Sequence, residues 1–118
     1  MDFKKAIENH CDWKIQFRAA INRKEKMDVA TIARDNCCEL GRWLESEGHI
    51  IYGYLESFKQ CSTAHTHFHH EAAKVAEQIN AQHFEEAEVM IGIHSEFDKA
   101  SRAVNIAIIK LRAEALVK

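Results

Sequence analysis

The chain has 118 residues and a formal net charge of −2, and its length suits one domain with a hydrophobic core of its own. Acidic and basic residues are interspersed, which argues against a basic stripe for nucleic acid or a polybasic block for an anionic membrane. There is no proline and there are only four glycines beside many Ala, Glu, Lys, Ile and Leu. We therefore expect an all-α fold in a single domain over residues 1–118.

The first helix is predicted from Phe3 to about Asn22. Its apolar positions recur every three or four residues, as expected for the core-facing stripe of a helix. His10 lies within this stripe. After a charged connection, residues 29–34 have room for one or two further helical turns.

A short helix is predicted through Cys38 and Trp43. Asp35 and Asn36 precede it and are candidates for its N-cap, because their side-chain oxygens can accept hydrogen bonds from the free N–H groups of a first turn. Gly48 is predicted to end this helix, since glycine is common just after the last turn.

Two longer helices are predicted in the second half of the chain. One runs from about Ile51 to Gln82 and the other from about Phe84 to the C-terminus, and both have apolar positions at spacings of three and four. The predicted seam of the first consists of Phe58, Cys61, His65, Phe68, Ala72, Val75 and Ile79. The predicted apolar stripe of the second consists of Met90, Ile93, Phe97, Val104, Ile108 and Leu111. The expected architecture is four-helix-bundle-like, with three long helices plus a short helix carrying a Cys-x-x-Gly-x-Trp motif. The apolar register of the last helix suggests a homodimer interface, with a solvent-facing end of the bundle as the alternative.

Four histidines lie close together in the long helix predicted from about Ile51 to Gln82. Because a helix advances about 100° per residue, they cannot all point the same way. His65 lies on the apolar seam and His69 is displaced from it by only about 40°, so this i, i+4 pair presents two nitrogens to one metal ion. His67 and His70 point elsewhere and are interpreted as solvated surface residues.

His10 and Cys38 extend this pair to three imidazoles and one thiol. A lone inward histidine is usually a core residue, but several buried imidazoles without a metal would leave polar nitrogens short of partners. This donor set suits four-coordinate Zn²⁺. A hemerythrin-like di-iron site is disfavoured, because the inward stripes carry few of the bridging carboxylates that it needs.

Three short motifs follow one another along the chain. They are His10-Cys11-Asp12-Trp13, Cys38-Glu39-Leu40-Gly41-Arg42-Trp43-Leu44, and Ala64-His65 with His69. In order and separation they resemble the His-x-x-Trp, Cys-x-x-Gly-x-Trp and His-x-x-x-His motifs of the chemoreceptor zinc-binding domain family. This family is a bacterial regulatory module of chemoreceptors and diguanylate cyclases that sometimes occurs on its own.

The resemblance implies four zinc ligands: His10, Cys38, His65 and His69. It also implies a homodimeric helical bundle that passes a zinc or oxidant signal to a chemoreceptor or diguanylate cyclase output domain. Asp35 resembles a recurrent acid of the family, which implies that it supports the thiolate or competes with it for the metal. No output region accompanies these residues, and the start at Met1 favours a free-standing protein over a fragment of a longer chain.

A zinc ion with four protein ligands has no open position for water, so we expect a regulatory role rather than an enzyme. The leading hypothesis is that the zinc-bound thiolate of Cys38 is redox-reactive. An oxidant such as hypochlorous acid would convert it to sulfenic acid, weaken the zinc bond and shift the bundle, and thereby modulate chemotaxis or cyclic-di-GMP signalling. The alternatives are a zinc-occupancy sensor and a purely structural zinc in a dimerisation module.

The other three cysteines are not assigned as ligands. The chain has no signal peptide or apolar span near its start, so we expect a cytoplasmic protein with reduced thiols. Cys61 is interpreted as a buried core thiol, with approach to the metal or resolution of an oxidised Cys38 as the alternative. Cys37 is interpreted as a bystander, since vicinal disulfides are strained, and Cys11 is expected to face away from the core stripe.

Overall fold

The fold consists of seven α-helices within residues 1–117, the part of the chain that the computed structural model describes, with side chains described for residues 1–115. The three long helices are α1 (Phe3–Arg23), α5 (Glu56–Asn80) and α7 (Glu96–Val117). The four short ones are α2 (Val29–Ala33), α3 (Glu39–Glu45), α4 (Glu47–Tyr52) and α6 (Phe84–Met90). The expected all-α fold is confirmed, with no strand in residues 1–117. Within the same residues, no helix has the length and apolarity needed to span a membrane.

Helix α5 lies at the centre of the molecule and packs against α7, α2, α6, α1 and α3. All seven residues of its predicted seam are buried, and they recur every three or four positions: Phe58, Cys61, His65, Phe68, Ala72, Val75 and Ile79. Burial of this apolar stripe drives the packing of the surrounding helices. Because His65 belongs to the stripe, its imidazole is carried into the interior with it.

The last helix is interrupted between α6 and α7, so the prediction of one continuous helix was wrong. Ser95 caps α7: its Oγ accepts a hydrogen bond from the backbone N–H of Asp98 at 3.1 Å. The Asp98 carboxylate in turn accepts from the backbone N–H of His94 at 3.1 Å, and His94 has a φ of 70°. This reciprocal capping starts a new helix. It leaves Ile93, which was expected on the apolar stripe, 71% exposed.

The short helix expected around Cys38 and Trp43 is present as α3, but its ends differ from the prediction. Cys38 itself is the N-cap, with an extended backbone (φ −102°, ψ 162°), rather than Asp35 or Asn36. Gly48 lies within α4 and does not end a helix. A Cβ atom on Gly48 would lie only 2.6 Å from the ring of Trp43, so glycine is needed there for packing. The long helix consequently begins at Glu56 instead of Ile51.

The turn before α2 is fastened to the end of α5. Asn80 accepts a hydrogen bond from the backbone N–H of Met27 at 2.7 Å and donates to the Met27 carbonyl at 2.8 Å. Asp28 caps α2 by accepting from the backbone N–H of Thr31 at 3.2 Å, and Ile32 is buried. These contacts hold the C-terminal part of α2 beside the histidines of α5.

Candidate metal centre

The fold brings together four side chains from α1, the start of α3 and α5. They are the four predicted ligands: His10, Cys38, His65 and His69. One potential ligand atom from each lies within 4.8 Å of those of the others. The sequence-based grouping is thus reproduced in space. His67 and His70 are exposed on α5, in agreement with the helical-phase argument.

Three separations within the cluster are close to those expected for one face of a tetrahedral zinc site. The Cys38 Sγ atom lies 3.2 Å from His65 Nε2 and 3.7 Å from His69 Nε2. The two Nε2 atoms are 3.1 Å apart. Tetrahedral zinc with ordinary bond lengths would place two nitrogens about 3.3 Å apart, and sulfur and nitrogen about 3.6 Å apart. The three donors therefore lie close to the spacing that one zinc ion requires.

Two of the histidines are oriented by backbone carbonyls. Nδ1–H of His10 donates to the Ala6 carbonyl at 2.7 Å, and Nδ1–H of His69 donates to the Ile32 carbonyl at 2.9 Å. A carbonyl can only accept, so the proton of each neutral ring is on Nδ1 and the lone pair is on Nε2. His10 Nε2 is buried and has no hydrogen-bond partner. Such an atom is costly unless something coordinates it, and a metal ion fits this need.

Burial keeps the three imidazoles neutral. Desolvation lowers the pKa of His10, His65 and His69, and for His65 it lowers the pKa to about 3, with further contributions from the neighbouring imidazoles. The Ile32 carbonyl and the charge of Asp35 oppose this effect on the pKa of His69. Near neutral pH each ring therefore offers a free lone pair, which is the form that binds a metal ion.

Cys38 is the only half-buried member of the cluster, whereas the three histidines are buried. Its Sγ accepts a hydrogen bond from the backbone N–H of Gly41 at 3.4 Å. A Cβ atom on Gly41 would lie 1.5 Å from the carbonyl oxygen of Asp35, so only glycine allows the preceding turn to pack on α3. The Cys-x-x-Gly spacing thus serves two contacts. The sulfur of Cys38 caps α3 through the Gly41 N–H, and the missing side chain of Gly41 lets the Asp35 carbonyl approach α3 closely. Burial raises the pKa of the Cys38 thiol.

Asp35 lies next to the cluster but is not one of its four members. Its carboxylate accepts a hydrogen bond from the hydroxyl of Thr66 at 2.5 Å. Its carbonyl oxygen lies 3.8 Å from Cys38 Sγ. Sequence reasoning missed Thr66, since its only signal was its position next to His65.

Trp43 links α3 to three other parts of the fold. Its ring centroid lies 5.4 Å from that of Phe3 in an edge-on arrangement, and 6.0 Å and 6.3 Å from those of Tyr52 and Phe58. These contacts connect α3 with the starts of α1 and α5 and with the end of α4. A displacement of α3 would therefore disturb the aromatic packing at this end of the bundle.

The other three cysteines lie outside the cluster, and all four thiols are free. Cys61 is fully buried in the core, and burial raises its pKa to about 12. Cys37 and Cys11 are exposed. The sulfur of Cys11 accepts a hydrogen bond from the side-chain amide of Asn105 at 3.3 Å, so Cys11 faces α7 rather than the donor cluster.

The fold and the cluster define an all-helical protein with three imidazoles and one thiol around one potential metal position. The family model for the chemoreceptor zinc-binding domain matches residues 10–76, a range that contains all four donors. The chain therefore belongs to the chemoreceptor zinc-binding domain family. No curated protein and no solved structure matches it.

Proposed function

We propose that this chain is a cytoplasmic regulatory module that binds zinc through His10, Cys38, His65 and His69, and that Cys38 is its oxidant-sensitive residue. The observation that carries the proposal is the cluster itself, in which His10 Nε2 is buried without a partner. Family membership supports zinc as the metal. When bound, zinc supplies the positive charge that keeps the Cys38 sulfur deprotonated near neutral pH.

Backbone carbonyls and the Cys38 thiol have different roles in metal binding. The backbone carbonyls of Ala6 and Ile32 fix the rings of His10 and His69, so their Nε2 lone pairs point into the cluster. Cys38 gives up its thiol proton to solvent as the site fills, because thiolate is the metal-binding form. If all four side chains bound one zinc ion, they would fill its usual four-coordinate shell and leave no position for a substrate water, which supports a regulatory rather than an enzymatic role.

Oxidation would act at the most accessible donor. Cys38 is half-buried whereas the three histidines are buried, so an oxidant from solvent meets the sulfur first. The thiolate attacks the chlorine of hypochlorous acid: an S–Cl bond forms, the Cl–O bond breaks and hydroxide leaves. Water then displaces chloride and leaves sulfenic acid. Sulfur is oxidised by two electrons and chlorine is reduced to chloride.

The consequence for the bundle follows from the position of Cys38. Its sulfur caps α3 through the Gly41 N–H, and α3 carries Trp43 into contact with Phe3 and Tyr52. Oxidation would weaken both the donor set and this cap, and the resulting movement of α3 would disturb the aromatic packing. We propose that this movement changes a homodimer and, through it, a chemoreceptor or diguanylate cyclase that controls chemotaxis or cyclic-di-GMP signalling.

Two alternative roles for the same site have support in its geometry. The half-burial of Cys38 favours a zinc-occupancy sensor, because a donor that can separate from the others lets the metal exchange. The origin of the donors in three separate segments favours a structural zinc that fastens α1, α3 and α5 together in a dimerisation module.

Oxidant titration distinguishes these roles. Zinc-loaded protein would be treated with hypochlorous acid up to one equivalent, with helix content and zinc release followed together and the modified residue identified by mass spectrometry. The proposal expects oxidation at Cys38 with matching zinc release, and the Cys61→Ala variant as control should respond like the natural chain. Unmodified Cys38 and unchanged helix content at one equivalent would contradict oxidant sensing and leave occupancy sensing or a structural zinc.

A further inference from the structure

The connection between α2 and α3 holds Cys38 against the three histidines. These histidines lie on the long helices α1 and α5, and two of them are also fixed by backbone carbonyls. Cys38, by contrast, is the last residue of a short irregular connection over residues 34–38. Separation of the four donors therefore requires movement of this connection and the start of α3, while the histidines stay in place.

Asp35 fastens this connection to the bundle at two points. Its carboxylate accepts from the Thr66 hydroxyl on α5 at 2.5 Å, one residue beyond His65. Its carbonyl oxygen rests against Gly41 on α3 and lies 3.8 Å from Cys38 Sγ. The first contact joins the connection to the helix of the two histidines, and the second joins it to the residue that carries the sulfur.

The Thr66 hydroxyl has a second acceptor within reach. The carbonyl oxygen of Ser62 lies 3.1 Å away on the same helix. When Asp35 moves off, the single hydroxyl proton can turn to this carbonyl, and the carboxylate of Asp35, which is already half-buried rather than buried, can be solvated by water. Neither group is left unsatisfied, so the contact can open and close without disturbing α5.

We infer that the Asp35–Thr66 hydrogen bond is a latch that sets how fast Cys38 separates from the histidines. It thereby controls the rate at which zinc leaves and the rate at which reagents reach the thiol. Asp35 acts here as a positioning residue, not as a ligand. For zinc release, the inference rests on the proposed function, because it takes the four donors as the ligand set. A hydrogen bond to a charged group favours the closed form of such a contact by about tenfold over the open form. Loss of the bond should therefore increase the rate of opening by about this factor.

The latch is tested by Thr66→Val, which removes the hydroxyl at nearly constant shape, beside Thr66→Ser, which retains it. Thr63→Val is the matched control, since Thr63 is exposed on α5 about one turn earlier. In metal-free protein, the rate of N-ethylmaleimide labelling would be read at Cys38 by peptide mass spectrometry. We expect Thr66→Val to label about ten times faster, with Thr66→Ser and Thr63→Val close to the natural rate.

In zinc-loaded protein, release into excess chelator should follow the same order. Equal labelling and equal release in Thr66→Val and the natural chain would overturn the latch. If the natural chain takes up no zinc, the proposed function fails, while the labelling rates still decide the latch. Asp35→Asn provides a second test and should label faster. Loss of helix content in both Thr66→Val and Asp35→Asn would also overturn the inference, because it would make the bond a requirement for folding.

Discussion

The backbone N–H of Gly41 donates to the Sγ atom of Cys38 at 3.4 Å, and the same sulfur lies 3.2 Å from Nε2 of His65. One atom therefore caps α3 and faces the imidazole cluster. A chemical change at this sulfur acts on a helix start and on a candidate metal site together. In the proposed function, this double contact connects oxidation of Cys38 with the packing of the bundle.

Replacement of Cys38 should distinguish the role of its sulfur as a cap of α3 from its role as a zinc donor. Serine is a favoured N-cap but a poorer zinc donor than thiolate, so Cys38→Ser should reduce zinc binding while the metal-free protein stays within about 0.5 kcal/mol of the natural stability. Cys38→Ala should reduce zinc binding and also destabilise the metal-free protein by about 1 kcal/mol. Urea unfolding of the metal-free variants measures the difference. Equal stability of the serine and alanine variants would mean that this side chain does not cap α3.

Replacement of Gly41 by alanine should destabilise the protein even without metal. The new Cβ atom would lie 1.5 Å from the Asp35 carbonyl oxygen, so the connection before α3 would have to move away. We expect a loss of about 1–3 kcal/mol in the free energy of unfolding, together with weaker zinc binding. Gly92→Ala is the control, because its closest contact would be 3.2 Å. A Gly41→Ala variant as stable as Gly92→Ala would contradict the close approach.

The stability of the metal-free protein should fall as the pH decreases below about 6.5. Burial lowers the pKa of His10, His65 and His69 from 6.5, for His65 to about 3. Between these pH values the unfolded chain binds more protons than the folded one, so acid favours unfolding. The loss of stability that is due to His65 reaches its full size only below a pH of about 3. Denaturant unfolding at several pH values between 7.5 and 4 measures this slope.

Two substitutions check the origin of the pH dependence. His65→Gln removes a buried imidazole and should flatten the slope. His67→Gln removes an exposed one and should leave the slope unchanged. If both variants retained the slope of the natural chain, the acid sensitivity would arise outside the cluster, which would contradict this prediction.

The proposed homodimer should depend on the exposed apolar residues of α7. Ile106 and Ile109 are each 54% exposed on this helix, and a charge at either position would have to be buried in a helix–helix interface. Ile106→Asp should therefore shift the protein towards monomer in sedimentation equilibrium. Ile50→Asp is the control, since Ile50 is 81% exposed on α4. A natural chain that is monomeric, or a dimer unaffected by Ile106→Asp, would contradict this interface.

The sequence predicted the parts of the site that depend on regular helices. His10, His65 and His69 were predicted to face inward because helical phase and apolar spacing determine the direction of a side chain on a long helix, and all three are buried in the cluster. The order of the motifs pointed to Cys38. These arguments succeed where burial of one stripe determines the rotation of a whole helix.

The irregular parts were missed because they depend on local contacts without a periodic pattern. Cys38 was not recognised as an N-cap, since cysteine is outside the usual capping residues, and Asp35 and Asn36 nearby fit the rule better. The break before α7 had a signal, the Ser95-x-x-Asp98 spacing of a capping box, but the apolar register across it outweighed this spacing. The bond from Thr66 to Asp35 joins residues that are 31 positions apart, and no local rule connects them.

The most direct test of the central claim is the zinc content of purified variants. Elemental analysis would compare the natural chain with single alanine substitutions at the four donors and at two controls: His10, Cys38, His65, His69, His67 and Cys61. Circular dichroism would verify that each variant retains its helices. We predict one zinc ion per chain for the natural protein and both controls, since one cluster is present in the described residues, and a marked loss in each donor variant. Equal zinc in all variants would contradict the proposed site.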